Sequence, residues 1–409
     1  MRKTIIIILT FACALLSQAQ TRRQMGGVYC AYPTPNVETG KPVSVVEDST
    51  VVDPFASPEG YSPFYISHYG RHGSRWMPND SRYIWVNQHF EDNSNLTSLG
   101  KKVKKLLLRV WDNARGNGGK LSKLGELQHR GIADRMFQRF PQIFASGNHV
   151  KARSSVVDRC AKSMLAFTGE LHQLQPKLDL DVKTDSADMA WIAYTSPEVK
   201  ALENRTKVTA NVSTDRFMRQ LFKDISKVDE PMKLMGEIHT IASSMQDVGL
   251  NFKHYPKDIE DGLNELFTDE EFRAFYEINN QRMMICNGVY PSNECIPIRS
   301  AISLWKHIKE DADRALTAST PSATLRFGHD TSLYRLLSLL GAGYETVSEE
   351  TGMFESSLDG RGHERMDVIV PMAANLQMIF YKKNVPDKEH PEKNVVVRIV
   401  RNETNEAQI

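Results

Sequence analysis

Tyr65-Ile66-Ser67-His68-Tyr69-Gly70-Arg71-His72-Gly73-Ser74-Arg75 sets one histidine between two arginines, with glycines on both sides, directly after an apolar run. The run Phe64 to Ile66 reads as the end of a buried strand, and Gly70 and Gly73 punctuate a tight loop behind it. Glycine tolerates positive φ and lets a bound group approach the backbone closely. Arg71 and Arg75 carry permanent charges on planar forks that match phosphate or carboxylate oxygens. A histidine among such cations is disfavoured as a cation itself, so its neutral, nucleophilic form is expected. The segment reads as a strand end opening into an anion pocket, with His72 as the nucleophile at its floor.

Outward from this segment, three sections differ in texture. From Ser62 to about Phe167, strand-like and helix-like runs alternate. Leu99, Val103, Leu106, Leu107 and Val110 fall at helical spacing, with Lys101, Lys102, Lys104 and Lys105 on the solvated face. Leu124, Leu127, Ile132 and Met136 continue the pattern over 121–140, and 155–170 is a further helix. From Leu171 to Ile298 the strand signal nearly vanishes and helical pieces follow one another. Then Ala323 to Phe327 reads as a strand, Thr331 to Leu340 as a helix, and 368–381 with 395–400 as paired β segments. The expected class is α/β: a mostly parallel central sheet flanked by helices, with an inserted all-helical cap. Residues 20–170 and 299–409 would form the core, and 171–298 the cap.

The 409 residues are 41% hydrophobic and 25% charged, an ordinary globular balance. Arg2 and Lys3, an apolar run from Thr4 to Leu16 and the small residues of Ser17-Gln18-Ala19 read as a signal peptide over residues 1–19. Export to the periplasm or the outside is expected. Without Arg2 and Lys3 the 51 basic residues become 49, against 50 acidic ones, for a net charge of −1. That balance offers nothing to nucleic acid in general, and no run reaches the ~18 apolar residues of a membrane span. Export also permits disulfides. Cys286 and Cys295 flank a turn-rich loop that a bridge would close, which leaves Cys30 with Cys160.

Two further segments carry chemistry. Ala152-Arg153-Ser154-Ser155-Val156-Val157-Asp158-Arg159-Cys160 joins a strand end to a helix start, with Ser154 or Ser155 as a natural N-cap. Phe327-Gly328-His329-Asp330-Thr331 repeats that arrangement. Ligands of α/β sheets bind beyond the carboxyl ends of strands, so these segments and the first would converge on one crevice.

Together they resemble the histidine acid phosphatase branch of the histidine phosphatase superfamily, which includes acid phosphatases, phytases and multiple inositol polyphosphate phosphatases. Arg71-His72-Gly73-Ser74-Arg75, Leu121 to His129, Val156-Val157-Asp158-Arg159 and His329-Asp330-Thr331 match four of its motifs in family order. The resemblance implies that His72 attacks phosphorus and forms a phosphohistidine. It implies Arg71, Arg75, Arg159 and His329 as holders of the phosphoryl oxygens. Asp330 would donate a proton to the leaving alcohol at acidic pH and then activate water. A small phosphorylated molecule is the implied partner, with no metal and no cofactor. An inactive phospho-ligand binder of the same fold and a mutase-like phosphotransferase are the alternatives.

One position departs from the family pattern: its proline would be Met77, and Pro78 comes one residue late. The aromatic Trp76 resembles the inositol polyphosphate phosphatases, whereas His329-Asp330 does not match their His-Ala-Glu segment. Trp76, and Arg153 as a partner for Asp158 or the pocket, are expected in supporting positions. Other motifs fall short. Gly116-Asn117-Gly118-Gly119-Lys120 lacks the Ser or Thr of a phosphate loop, and His363-Glu364 lacks the second histidine of a zinc helix.

Overall fold

A computed structural model describes residues 20–43, 55–209, 211–318, 321–341 and 365–403. The expected leader over 1–19 and the pair His363-Glu364 lie outside the described residues. Among the described residues six strands form one sheet: β1 (Tyr61–Arg71), β2 (His149–Ser154), β3 (Asp179–Thr184), β4 (Ala323–Gly328), β5 (Asn375–Lys383) and β6 (Val395–Arg401). Their order is β3-β2-β4-β1-β5-β6. The first four in that order run parallel, and β5 and β6 are added antiparallel beyond β1. The α/β class with a mostly parallel sheet is what the alternation of patterns predicts.

Burial follows position in the sheet. β1 is buried continuously from Tyr65 to Arg71, and β4 throughout, because helices cover both faces of central parallel strands. β1 also runs on through Gly70 to Arg71, so the loop begins two residues later than the glycines imply. β3 is different. Its sequence Asp179-Leu180-Asp181-Val182-Lys183-Thr184 is short and charged, as edge strands tend to be. This strand falls inside the section whose pattern reads as helical, and edge placement is the reason its signal is weak.

Four helices of the first section position the site: α1 (Asp80–Gln88), α2 (Ser98–Ala114), α3 (Lys123–Arg139) and α4 (Asp158–Leu174). Thr97 caps α2 by accepting from the Gly100 N–H, and Ser122 caps α3 by accepting from Gly125. α2 buries Val103, Leu107 and Val110, while Lys101, Lys102 and Lys105 stay exposed. That apolar stripe packs with Tyr83 and Val86 of α1 against Leu221, Ile238, Ile241, Leu263 and Phe272. The helical layer therefore recruits residues 76–114 as well as the later helices. On the sheet, α3 and α4 cover Ile66, Val150 and Leu325. The helices Ile302–Ala318 and Asp330–Leu340 share a cluster with Tyr65, Tyr69, Leu376 and Met378.

Candidate active site

Arg71 at the end of β1 is paired in parallel register with Gly328 at the end of β4. The residues that follow, His72 and His329, therefore leave the carboxyl edge of the sheet side by side. The His72 N–H donates to the Gly328 carbonyl at 2.9 Å, and the Ala373 N–H donates to the His72 carbonyl at 3.0 Å. The two imidazoles meet edge to face with centroids 5.8 Å apart. β2 supplies a third edge, where the Ser155 N–H donates to the Phe327 carbonyl at 3.0 Å. α4 then starts at Asp158 and brings Arg159 and Cys160 to the same place.

His72 is 2% exposed. Its Nδ1 lies 2.9 Å from the Gly73 carbonyl oxygen, which can only accept. Nδ1 therefore carries the proton and Nε2 the lone pair. Burial, followed by the fields of Arg71, Arg159 and Arg75, holds the imidazole pKa well below the ordinary histidine value. The ring is neutral, with an unprotonated nitrogen.

The cations around it are fixed from several directions. Arg71 Nη1 donates to the carbonyls of Val28 at 2.7 Å and Val370 at 2.6 Å. Its Nη2 stands 2.9 Å from Asp330 Oδ2. Arg75 Nη1 donates to the Trp76 carbonyl at 2.8 Å, and its guanidinium lies 5.3 Å from the centre of the Tyr29 ring. His329 Nε2 is 3.1 Å from Ser155 Oγ, and burial, then Arg159, pushes its pKa down to about 4. Burial pushes Asp330 up, but Arg71, His329 and Arg75 together outweigh it and hold the carboxyl below its usual range. A buried neutral histidine, convergent guanidinium groups and a carboxylate suit nucleophilic attack on a phosphoryl group with acid assistance.

Gly73 is needed here for space. A Cβ on it would stand 2.5 Å from the Gly125 carbonyl oxygen and 2.6 Å from Gly125 Cα, at the start of α3. Neither Gly70 nor Gly73 takes positive φ, so the close approach and not the left-handed conformation selects glycine. Gly328 is similar, since its Cβ would meet the Tyr69 hydroxyl at 2.0 Å.

Several expectations are corrected. Trp76 is 2% exposed, and its ring sits in the core of the helical layer, 6.3 Å from Phe252. Only its carbonyl serves the pocket. Arg153 reaches neither Asp158 nor the pocket: it donates to the Asp181 carbonyl at 2.8 Å and pairs with the Asp181 carboxylate at 2.5 Å. Asp158 pairs instead with Lys162. The N-cap of α4 is Val157, without a side-chain bond, because Ser155 is turned toward His329. Neither expected disulfide is present: Cys30, Cys160, Cys286 and Cys295 are free thiols. Cys160 Sγ points to the Gly328 carbonyl at 3.2 Å, Cys286 is buried in the helix Asp269–Asn287, and Cys295 is exposed. In the Gly116–Lys120 turn Asp80 accepts from the amides of Gly116 at 2.6 Å and Gly118 at 2.7 Å, and the Gly119 amide donates to the Met77 carbonyl at 2.7 Å.

The site also holds Asp247 and Tyr29, which no motif marks, the first tied to Ser74 and Gln128 of the matched segments. The Ser74 N–H donates to Gln128 Oε1 at 2.8 Å, and Gln128 Nε2 donates back to Ser74 Oγ at 3.0 Å. Ser74 Oγ in turn donates to Asp247 Oδ1 at 2.6 Å. Tyr29 comes from the N-terminal segment and Asp247 from the helix Pro231–Val248. The one available signal was the run Ser243-Ser244-Met245-Gln246-Asp247, polar residues on a helix that proves buried all round from Ile238 to Val248. Among the described residues, no group of three or more His, Cys, Asp or Glu side chains is placed to hold a metal ion. No helix among them is long and apolar enough to cross a membrane.

The histidine phosphatase superfamily (branch 2) matches residues 70–402. Multiple inositol polyphosphate phosphatase 1 of Gallus gallus is 23% identical over 275 residues, which is 64% of this chain. The match spans 59% of that relative's own length. The Bifidobacterium longum multiple inositol polyphosphate phosphatase, solved with inositol hexasulfate, superposes with a TM-score of 0.67 at 16% identity, over 94% of this chain and 92% of that one. The phytase from D. castellii gives 0.59 at 13% identity, over 96% and 82%. These structures share the fold.

Proposed function

The chain belongs to the histidine phosphatase superfamily, branch 2, and from that premise we propose that it is an exported phosphomonoester hydrolase working through a phosphohistidine on His72. The observation that carries this reading is the 2.9 Å contact of His72 Nδ1 with the Gly73 carbonyl, which leaves Nε2 unprotonated inside a field of arginines. Arg71, Arg75, Arg159 and His329 take the phosphoryl oxygens and stabilise their charge through the transition state. Nε2 attacks phosphorus as the ester P–O bond breaks, and Asp330 gives its proton to the departing oxygen. The Asp330 carboxylate then takes a proton from water, whose oxygen attacks the phosphohistidine and releases orthophosphate and His72.

A phosphate dianion seated on Arg71 offsets the field that keeps Asp330 ionised in the empty pocket, so binding itself arms the acid. The helical layer, which we propose as the cap, touches the catalytic loop through the bond between Asp247 and Ser74. Relatives named for inositol polyphosphates and phytate support a polyphosphorylated inositol as the substrate class.

Hydrolysis of p-nitrophenyl phosphate near pH 5 with chelator present is the primary test. Turnover is expected, and His72→Ala abolishes it. Rapid quenching with labelled substrate should trap acid-labile, alkali-stable label on the wild type and none on His72→Ala. Binding without turnover in the wild type would instead identify a phospho-ligand binder. Phosphate release from phytate, glucose 1-phosphate and simple monoesters, compared side by side, identifies the substrate class.

A further inference from the structure

Asp247 is fully buried on a helix that belongs to the helical layer, yet its carboxylate is bonded to Ser74, inside the loop that carries His72 and Arg75. Oδ1 accepts the Ser74 hydroxyl at 2.6 Å. Oδ2 is buried and has no hydrogen-bond partner among the described residues. Ser74 cannot drift away, since Gln128 holds both its amide and its hydroxyl. The mechanism above uses none of these three side chains.

We infer that Asp247 is a positioning residue of the phosphate pocket: bonded to Ser74 and sharing the fields of Arg75 and Arg71, it takes up a proton when a phosphoryl dianion enters. The inference rests on the reading of this site as a phosphate pocket. Before a dianion binds, an ionised Asp247 balances part of the charge of Arg75 and Arg71. An arriving dianion competes for the same charge, and a buried carboxylate that loses its cations is better protonated. Protonation also frees Arg75 and Arg71 to act wholly on the ligand. The carboxyl is suited to this exchange, because burial raises its pKa to about 7 while Ser74, Arg75 and Arg71 pull the other way.

The neighbours leave Asp247 as the responsive group near neutral pH. Arg75 and Arg71 face it from the loop and β1. Cys30, from the N-terminal segment, is a thiol whose pKa burial pushes up, so it stays neutral. His129 on α3 is held neutral by burial, with its pKa lowered to about 3. On the other packed elements, Arg82 pairs with Glu237, Glu260 with Arg23, and Tyr276 with Asp367. Asp330 titrates below the ordinary carboxylate range in the empty pocket, and so well apart from Asp247.

Calorimetric titration of the full chain with sulfate, a dianion from about pH 5 to 9, counts these protons when run in buffers of different ionisation heat. The wild type is expected to take up protons near neutral pH, with affinity falling by as much as about tenfold per pH unit above that range. Asp247→Asn mimics the protonated acid, so its uptake there vanishes and its affinity at about pH 8 stays at the acidic level. Asp330→Asn retains the neutral step. Ser74→Ala moves the step to higher pH, because it removes a bond that favours the ionised form. A neutral step that survives in Asp247→Asn, disappears in Asp330→Asn, or stays put in Ser74→Ala overturns the inference. If Asp247→Asn does not fold, Ser74→Ala decides alone. A wild type that binds no sulfate removes the phosphate-pocket reading itself, whereas binding with unchanged proton uptake in Asp247→Asn removes only the role of Asp247.

Discussion

Arg71 Nη2 lies 2.9 Å from Asp330 Oδ2, with the arginine side chain fully buried and the carboxylate side chain 20% exposed. The proposed proton donor is thus paired with the cation that most favours its ionised form. The arrangement makes sense if the same arginine is given up to the substrate, since the pairing then weakens as the phosphoryl group arrives.

That exchange sets the pH behaviour. The free-enzyme pKa of Asp330 is held low, so kcat/KM for alkyl phosphates should fall as pH rises through and above the ordinary carboxylate range. The fall in kcat should come at higher pH, because bound phosphoryl oxygens offset Arg71. Asp330→Asn is expected to slow alkyl phosphates by about 10²- to 10⁴-fold and p-nitrophenyl phosphate far less. Equal losses on both substrates would remove Asp330 as the proton donor.

Acid should weaken the fold even though the proposed chemistry favours it. Burial lowers the pKa values of His68, His129 and His239 to about 3, whereas an unfolded histidine titrates near about 6.5. Between those values the unfolded chain binds more protons than the folded one, so stability is complete above about pH 6.5 and declines as pH falls. At about pH 4 each buried neutral histidine costs roughly 3 kcal/mol. His239 packs among Phe267, Phe272 and Phe275. His239→Phe should therefore flatten the decline of Tm between pH 7 and pH 4, and an unchanged slope would contradict the assignment.

Trp76 provides a test of where specificity resides. Trp76→Phe should cost about 1–3 kcal/mol of stability, the usual loss from shrinking a buried side chain. Because the ring faces the core and not the pocket, KM values for phytate and for simple monoesters should move together. A change in their ratio would return Trp76 to the substrate.

The cysteines can be counted directly. A thiol reagent should find four reactive groups in the unfolded chain over residues 20–409, and added reductant should leave Tm unchanged. In the native protein Cys295 should react first, because it is exposed, while Cys160 is buried with its pKa raised to about 11. Fewer than four groups under denaturing conditions would restore a disulfide.

The legible parts of this protein were those whose chemistry is written over a few adjacent residues. The Arg71 to Arg75 segment and the His329-Asp330 pair each couple a strand end to the residues that use it, so their convergence followed from a parallel sheet. The charged edge strand β3 was missed, because strands covered on one side carry no apolar run. Trp76 and Arg153 were misplaced for a related reason. The direction a side chain takes out of a loop or strand end depends on its neighbours in space, and Asp181 and Phe252 are such neighbours.

The sequence by itself determined the fold class, the four motifs and their order, and the identity of the candidate nucleophile, cations and acid. The fold class, His72 and its flanking arginines rest on local backbone preference joined to residue chemistry, and the motif order, Arg159, His329 and Asp330 on the family resemblance. Tertiary structure alone decided which nitrogen of His72 is free, what holds each arginine, and that Asp247 shares the site. Asp247 and Ser74 are 173 residues apart, joined by one 2.6 Å bond. No periodicity encodes such a pairing, because the packing of a helix on a loop sets it only after both have formed.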